Sequence, residues 1–219
     1  MVSHEFKTPL TNIYSNTQML QRYKDRLDKN EKDKYYQRIL DSISLLNSML
    51  TDISFYHKKQ DGKIQPKPVK VEIQSFIQSI IDEIHSQFNW KSEIVFDFQC
   101  KSPEIVIDKF LLRYVITNFL SNAVKYSDTD VMLYVECSEN KNLLIRVKDR
   151  GQGIPEKDME NIFDPFFRSK NAENIKGTGL GMPIAKHCVD LLGGDLHISS
   201  EINQGTTVTA WVPYQISKT

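Results

Sequence analysis

Apolar residues recur at helical spacing through the first quarter of the chain and then change period. Residues 3–28 carry Phe6, Leu10, Ile13, Leu20 and Leu27, and residues 33–57 carry Tyr36, Ile39, Ile43, Leu46, Leu50 and Ile53. The second set advances by 3, 4, 3, 4 and 3, the step of a heptad seam, so two long helices are predicted. The segment KDRLDKNEKDK, residues 24–34, is almost wholly charged and polar and suits the turn of an antiparallel hairpin. Two helices alone cannot bury both seams, and Leu40, Leu45 and Met49 widen the second stripe. The simplest completion is a homodimeric four-helix bundle.

Periodicity lapses over residues 58–69 (KKQDGKIQPKPV), where Gly62, Pro66 and Pro68 stand among charges, and a linker between domains is expected there. Beyond it the pattern predicts helices at 72–87, 108–126 and 180–192. Strands are expected at 93–99, 130–137, 142–149, 195–200 and 206–213, and a loop-rich stretch up to 178. Short polar turns at 139–142 and 201–205 suit antiparallel neighbours. Long helices interspersed with such strands favour an α+β, two-layer sandwich with a mixed sheet over a doubly wound parallel sheet.

Composition narrows the classes. Lys+Arg and Asp+Glu both number 28, so the net charge is zero and the field that nucleic-acid or anionic-membrane binding leaves in composition is missing. No apolar run approaches the ~18 residues of a membrane span. Met1 stands directly before the body of a helix, so the chain is expected to be an excised cytoplasmic fragment, any anchor or sensor lying upstream. Cys100, Cys137 and Cys188 are odd in number and without CxxC spacing, and the expectation is reduced thiols, with no disulfide framework or zinc site. Of nine glycines, eight fall from Gly151 onward, which points to special backbone geometry in one region.

The candidate chemistry lies in five short segments. His4 is in SHEFKTPL, beside Glu5 and off the apolar seam; a solvated polar pair and a reactive imidazole both fit. Thr8 and Pro9 permit either an N-cap followed by the first helical residue, with His4 outside the helix, or a helix that runs through the proline. Asn118 and Asn122 share a helix face, with Lys125 and Tyr126 in the next turn; neutral amides and a cation can hold hydrated Mg²⁺ and phosphate oxygens, and an amphipathic surface helix reads equally well. Asp149 precedes Gly151 and Gly153 at a strand end, where a carboxylate could accept from an exocyclic amine while glycines admit a flat base. Gly177, Gly179, Leu180 and Gly181 precede a helix whose N-terminal N–H groups would face a polyphosphate. This is neither a Walker sequence nor a Rossmann fingerprint. Residues 163–176, with Arg168, read as a lid, and Gly193, Gly194 and Gly205 read as ordinary turn residues.

Taken in order, these segments resemble a bacterial two-component sensor histidine kinase over essentially the whole chain. SHEFKTPL is similar to the family's phospho-acceptor box, NFLSNAVKYS to its N box, and DRGQGIP and KGTGLGM to its glycine boxes, with FDPFFR between them. The resemblance implies a dimerisation and phosphotransfer hairpin at residues 1–57 and, at 70–219, an ATP-binding sandwich of the type shared with gyrase, Hsp90 and MutL. It implies a protein-histidine kinase using ATP and Mg²⁺, with His4 as nucleophile, Glu5 as proton acceptor, and Thr8 orienting a water that hydrolyses phosphoryl aspartate on a response-regulator partner. It makes Asn122 the metal ligand, Lys125 a phosphate contact, Tyr126 a pocket aromatic, Asp149 the adenine-amine acceptor and Arg168 a γ-phosphate contact, with Thr206 near Asp149. Hydrolytic relatives carry a glutamate at the position of Asn118, so slow ATP hydrolysis is expected. A clamp ATPase and a non-catalytic dimer module are the competing readings. Pro183 departs from the family pattern but falls in the first turn of its helix, where a missing N–H costs little.

Overall fold

The computed structural model describes residues 2–60, 64–88, 92–101, 104–169, 175 and 177–216, and for residues 2–5 and 56–60 the backbone only. It divides into two compact units, Met1–Lys63 and Ile64–Thr219.

The first unit is a hairpin of α1 (Val2–Arg22) and α2 (Lys29–Gln60). The connecting turn is shorter than the charged segment suggests, because Asp28 and Glu31 form a reciprocal capping box. Asp28 N donates to Glu31 Oε2 at 3.0 Å and Glu31 N donates to Asp28 Oδ1 at 2.8 Å. Two orphan donors are satisfied, so α2 starts at Lys29 and not near 33. The helix α1 runs through Pro9, which settles that alternative: Thr8 is not an N-cap, and His4 lies within continuous helix. Burial divides the α2 stripe. Ser42, Met49, Asp52 and Phe55 are buried, whereas Tyr36, Leu40, Ile43 and Leu50 are exposed.

The second unit is a two-layer sandwich. Its sheet has the order β2-β4-β5-β7-β6, formed by β2 (Ile94–Gln99), β4 (Val131–Cys137), β5 (Asn142–Lys148), β6 (Asp195–Glu201) and β7 (Gly205–Pro213). The β2 and β4 strands run parallel and the other pairs antiparallel, so the sheet is mixed. Alternating Leu133, Val135, Leu143, Ile145, Val147, Ala210 and Val212 are buried on one face. Over that face lie α3 (Ile73–Phe88), α4 (Lys109–Tyr126) and α5 (Gly181–Leu191), which bury Ile77, Ile80, Leu112, Ile116, Leu120, Ile184 and Val189. Burying each large aliphatic side chain contributes about 1.5–3 kcal/mol, so this core is self-sufficient.

A second, three-stranded sheet, β1-β3-β8, has no counterpart in the sequence reading. It consists of β1 (Val69–Glu72), β3 (Glu104–Ile107) and β8 (Gln215–Ile216). With β1 present, α3 begins at Ile73, and strand replaces the end of the expected linker. Asp108, between β3 and α4, fixes the start of the helix that carries both asparagines. Its Oδ1 accepts from Phe110 N and Leu111 N, both at 2.9 Å, and its Oδ2 accepts from Lys67 N at 2.6 Å. An N-cap of this kind is worth about 1 kcal/mol.

The expectation of three free thiols is corrected. Cys100 and Cys137 are joined by a disulfide, Cα–Cα 4.7 Å. Parallel pairing sets Gln99 opposite Glu136, so the next residue of each strand falls alongside the other. Only Cys188 is free; it is buried, and burial pushes its thiol far above the ordinary range.

Candidate nucleotide site

The site gathers where β5 and β6 end and β7 begins, near the C-terminus of α4. Asp149, just past β5, is buried. Its Oδ1 accepts from Gly151 N at 2.8 Å and Thr206 N at 3.1 Å, and its own N donates to Thr206 O at 2.9 Å. No described donor of the chain reaches Oδ2, so one carboxylate oxygen is held by backbone and the other is left to accept. Burial raises the Asp149 carboxyl above its usual range, partly offset by the two backbone donors.

Glycine is demanded here by crowding. A Cβ at Gly151 would lie 2.0 Å from Tyr126 O, which also accepts from Gln152 N at 3.3 Å. The turn after Asp149 is thus clamped to the end of α4. Gly153 and Gly205 are equally confined, with added Cβ atoms 2.0 Å from Glu201 O and 2.1 Å from Asp149 O respectively. Gly205 is therefore part of the Asp149 pocket, not the ordinary turn residue that its sequence context suggested.

A second cluster joins α4 to the turn before α5. Asn118 Nδ2 donates to Tyr114 O at 2.9 Å, and a Cβ at Gly181 would fall 2.4 Å from Asn118 Oδ1. The amide oxygen therefore lies against the glycine turn, one helical turn before Asn122. Thr178 Oγ1 accepts from Leu180 N at 3.1 Å, and Leu180 is buried. Gly179, at φ 69°, packs on the Phe166 and Phe167 backbone, and Phe166, itself at φ 66°, donates its N–H to Gly179 O at 3.1 Å. Strain of this kind persists where neighbours over-determine it, and here it fastens the FDPFFR segment to the second glycine turn. Among the described residues, nothing lies within 4 Å of a Cβ added at Gly177.

The flanking residues are placed as follows. Tyr126 is partly buried, which raises its phenol, while the nearby Arg168 charge opposes the shift. An Arg168 guanidinium nitrogen donates to the Ile175 carbonyl, and Ser169 Oγ donates to an Asp158 carboxylate oxygen. Lys125 Nζ stands 5.7 Å above the Phe88 ring. Residues 170–174 and 176 of the expected lid, and the side chains of His4 and Glu5, lie outside the described residues. Thr8 is exposed on α1. Ser200 went unnoticed in the sequence. Its hydroxyl bonds Ile154 N at 2.8 Å, Gly205 O at 3.0 Å and Thr206 Oγ1 at 2.8 Å, and a lone serine late in a strand carries no motif that would have exposed it.

An α/β sandwich with a buried acceptor carboxylate, two glycine turns and an asparagine-bearing helix is the architecture of a nucleotide-binding ATPase domain, here carried with a helical hairpin. The chain belongs to the family of histidine kinase-, DNA gyrase B-, and HSP90-like ATPases, whose pattern matches residues 107–216, and residues 1–62 match the His Kinase A (phospho-acceptor) domain. Together these make a sensor histidine kinase catalytic core.

Among its relatives, the sensor histidine kinase WalK of Bacillus subtilis is 32% identical over 229 residues, 98% of this chain and 36% of that protein. The sensor histidine kinase RcsC of Escherichia coli K12 is 32% identical over 222 residues, 97% of this chain and 22% of RcsC. The chain thus spans between about a fifth and just over a third of these relatives' length. Among solved structures, full-length ShkA in complex with AMPPNP aligns over 100% of this chain and 46% of its own, with TM-score 0.72 and 23% identity. The Acinetobacter baumannii histidine kinase AdeS aligns over 96% and 97%, with TM-score 0.70 and 17% identity. At these identities the likeness is one of fold.

Proposed function

We propose that the chain transfers the γ-phosphoryl group of ATP to His4 and passes it on to an aspartate of a response-regulator receiver domain, two copies pairing through the hairpin. The observation that carries the nucleotide half is the Asp149 carboxylate, with one oxygen held by two backbone N–H groups and the other left to accept from the adenine amine. Tyr126 would wall the pocket, with Gly151 and Gly153 admitting the flat base beside it. Thr206 adds a hydroxyl beside Asp149.

Backbone N–H groups from Gly177 through Gly181 would face the phosphates, helped by the positive end of α5. Lys125 and Arg168 would neutralise phosphate charge, Arg168 by leaving the Ile175 carbonyl for the γ-phosphate. The donor set suits Mg²⁺: neutral amide oxygens on one helix face fit an ion that keeps several waters and takes few protein ligands, and Asn122 would hold it. When bound, Mg²⁺ supplies charge neutralisation across the phosphates.

At the acceptor, one His4 ring nitrogen attacks the γ-phosphorus and forms an N–P bond as the bond to the ADP oxygen breaks. The proton of the other ring nitrogen passes to Glu5. In the reverse direction of signalling, Thr8 would orient the water that hydrolyses phosphoryl aspartate on the partner. Asn118 supports kinase over hydrolase chemistry, because an amide at that position cannot serve as general base.

The test is incubation of the chain with γ-labelled ATP and Mg²⁺. Label that is acid-labile and alkali-stable, and that moves to a receiver domain, is the expected result. Rapid ATP turnover without protein labelling would instead favour the clamp-ATPase reading. Asn122→Asp is expected to impair labelling while leaving the dimer intact in sedimentation.

A further inference from the structure

The bonding at Ser200 has a polarity. A hydroxyl offers one proton and two lone pairs. Ile154 N–H, at 2.8 Å, can only donate, and Gly205 O, at 3.0 Å, can only accept. All three contacts are satisfied together only when Ser200 gives its proton to Gly205 and its lone pairs take the Ile154 N–H and, across 2.8 Å, the Thr206 hydroxyl proton. All its capacities are filled. The Thr206 proton is directed inward, and only lone pairs of Thr206 Oγ1 remain for a ligand. The backbone of Thr206 exchanges two bonds with Asp149, Thr206 N to Oδ1 at 3.1 Å and Asp149 N to Thr206 O at 2.9 Å, so the two side chains keep a fixed relation.

We propose that Ser200 is a specificity-determining positioning residue: by holding Thr206 as an acceptor beside Asp149, it makes the base end of the pocket favour an exocyclic amine and reject a carbonyl. The proposal rests on the nucleotide reading above. A 6-keto purine placed there would set its oxygen against two acceptors, with no donor to pair it. Without Ser200, the Thr206 hydroxyl is free to turn its proton outward and satisfy that oxygen.

The test is equilibrium binding of Mg·ADP and Mg·IDP to the whole chain, its Ser200→Ala and Ser200→Thr variants, and Thr206→Val. The native chain is expected to prefer ADP by at least about tenfold, the cost of leaving a buried polar group unpaired. Ser200→Ala is expected to lose most of that preference, Ser200→Thr, which keeps a hydroxyl, to retain it, and Thr206→Val to lower it as well. If Ser200→Ala proves unfolded by its melting curve, Thr206→Val carries the test. A Ser200→Ala variant that weakens ADP and IDP equally would reduce Ser200 to a structural residue and overturn the proposal while leaving nucleotide binding in place. An unchanged ratio in Thr206→Val would overturn it too. A native chain that binds neither nucleotide would remove both this inference and the reading beneath it.

Discussion

The helices of the hairpin are more polar than those of the sandwich, and the two units bury their apolar groups differently. In the sandwich the sheet offers each helix a continuous apolar floor, and Ile77, Ile80, Leu112, Ile116 and Leu120 are sealed completely. In the hairpin, among the described residues, the two helices pack chiefly on each other, and Tyr14 and Leu40 remain 65% and 56% exposed beside Tyr36, Ile43 and Leu50. A helix that presents apolar groups on two sides needs a second neighbour. The sandwich core is thus closed within one chain, whereas the hairpin leaves an apolar stripe exposed, which the proposed pairing of two copies would cover.

The largest effect that separates the two units is expected from charge placed in the exposed stripe. Leu40→Asp combined with Ile43→Asp should weaken self-association by about 100-fold or more, since each buried aliphatic contributes roughly 1.5–3 kcal/mol, while ADP binding by the sandwich is unchanged. Sedimentation paired with calorimetry checks both halves, and an unaltered dimer would break the comparison.

Next in size is Gly151→Ala. A methyl 2.0 Å from the Tyr126 carbonyl must push the turn off α4. A loss of about 2–4 kcal/mol in the sandwich transition is expected, with nucleotide binding lost alongside, and denaturant titration reads it. Cutting the Cys100–Cys137 link by Cys137→Ser should cost the sandwich roughly 2–4 kcal/mol, since the bridge closes a loop across 37 residues. The hairpin should not respond. Native chain unfolding alike with and without reductant would contradict this.

The smallest expected effect has an unusual sign. Because burial raises Asp149 in the folded chain, its contribution to stability is fullest in acid and is lost as pH rises through its folded value. Asp149→Asn keeps an oxygen for Gly151 and Thr206 but cannot ionise. The unliganded variant should therefore be slightly more stable than native at neutral pH, the gain fading as pH falls into the ordinary carboxylate range, and yet fail to bind ADP. Melting curves across pH would show it, and a variant less stable at neutral than at acid pH relative to native would refute it.

How much of this was legible in the sequence follows from how local each feature is. The α4 helix, the β4–β5 hairpin and the glycine turns announce themselves through periodicity and turn residues within a dozen positions. The short strands do not. β1 alternates Val69, Lys70, Val71 and Glu72, but four residues at the end of a linker are too few to stand out, and β8 is two residues long. The disulfide was hidden because it depends on the register of two strands that a helix separates, a relation set by tertiary pairing. Gly205 and Ser200 were missed for the same reason: what they touch, Asp149 and Ile154, lies about fifty residues away. The capping box Asp28–Glu31 was the exception, a local signal overlooked within a run of charge.

Transfer of the ATP phosphoryl group to a single acceptor, His4, is the core of the proposed function. It is tested most directly by comparing the native chain with His4→Gln after incubation with γ-labelled ATP and Mg²⁺, with ADP binding measured on both. Equal ADP binding and complete loss of label in the variant are expected. Label that persists in His4→Gln, or that is acid-stable and alkali-labile in the native chain, would contradict it.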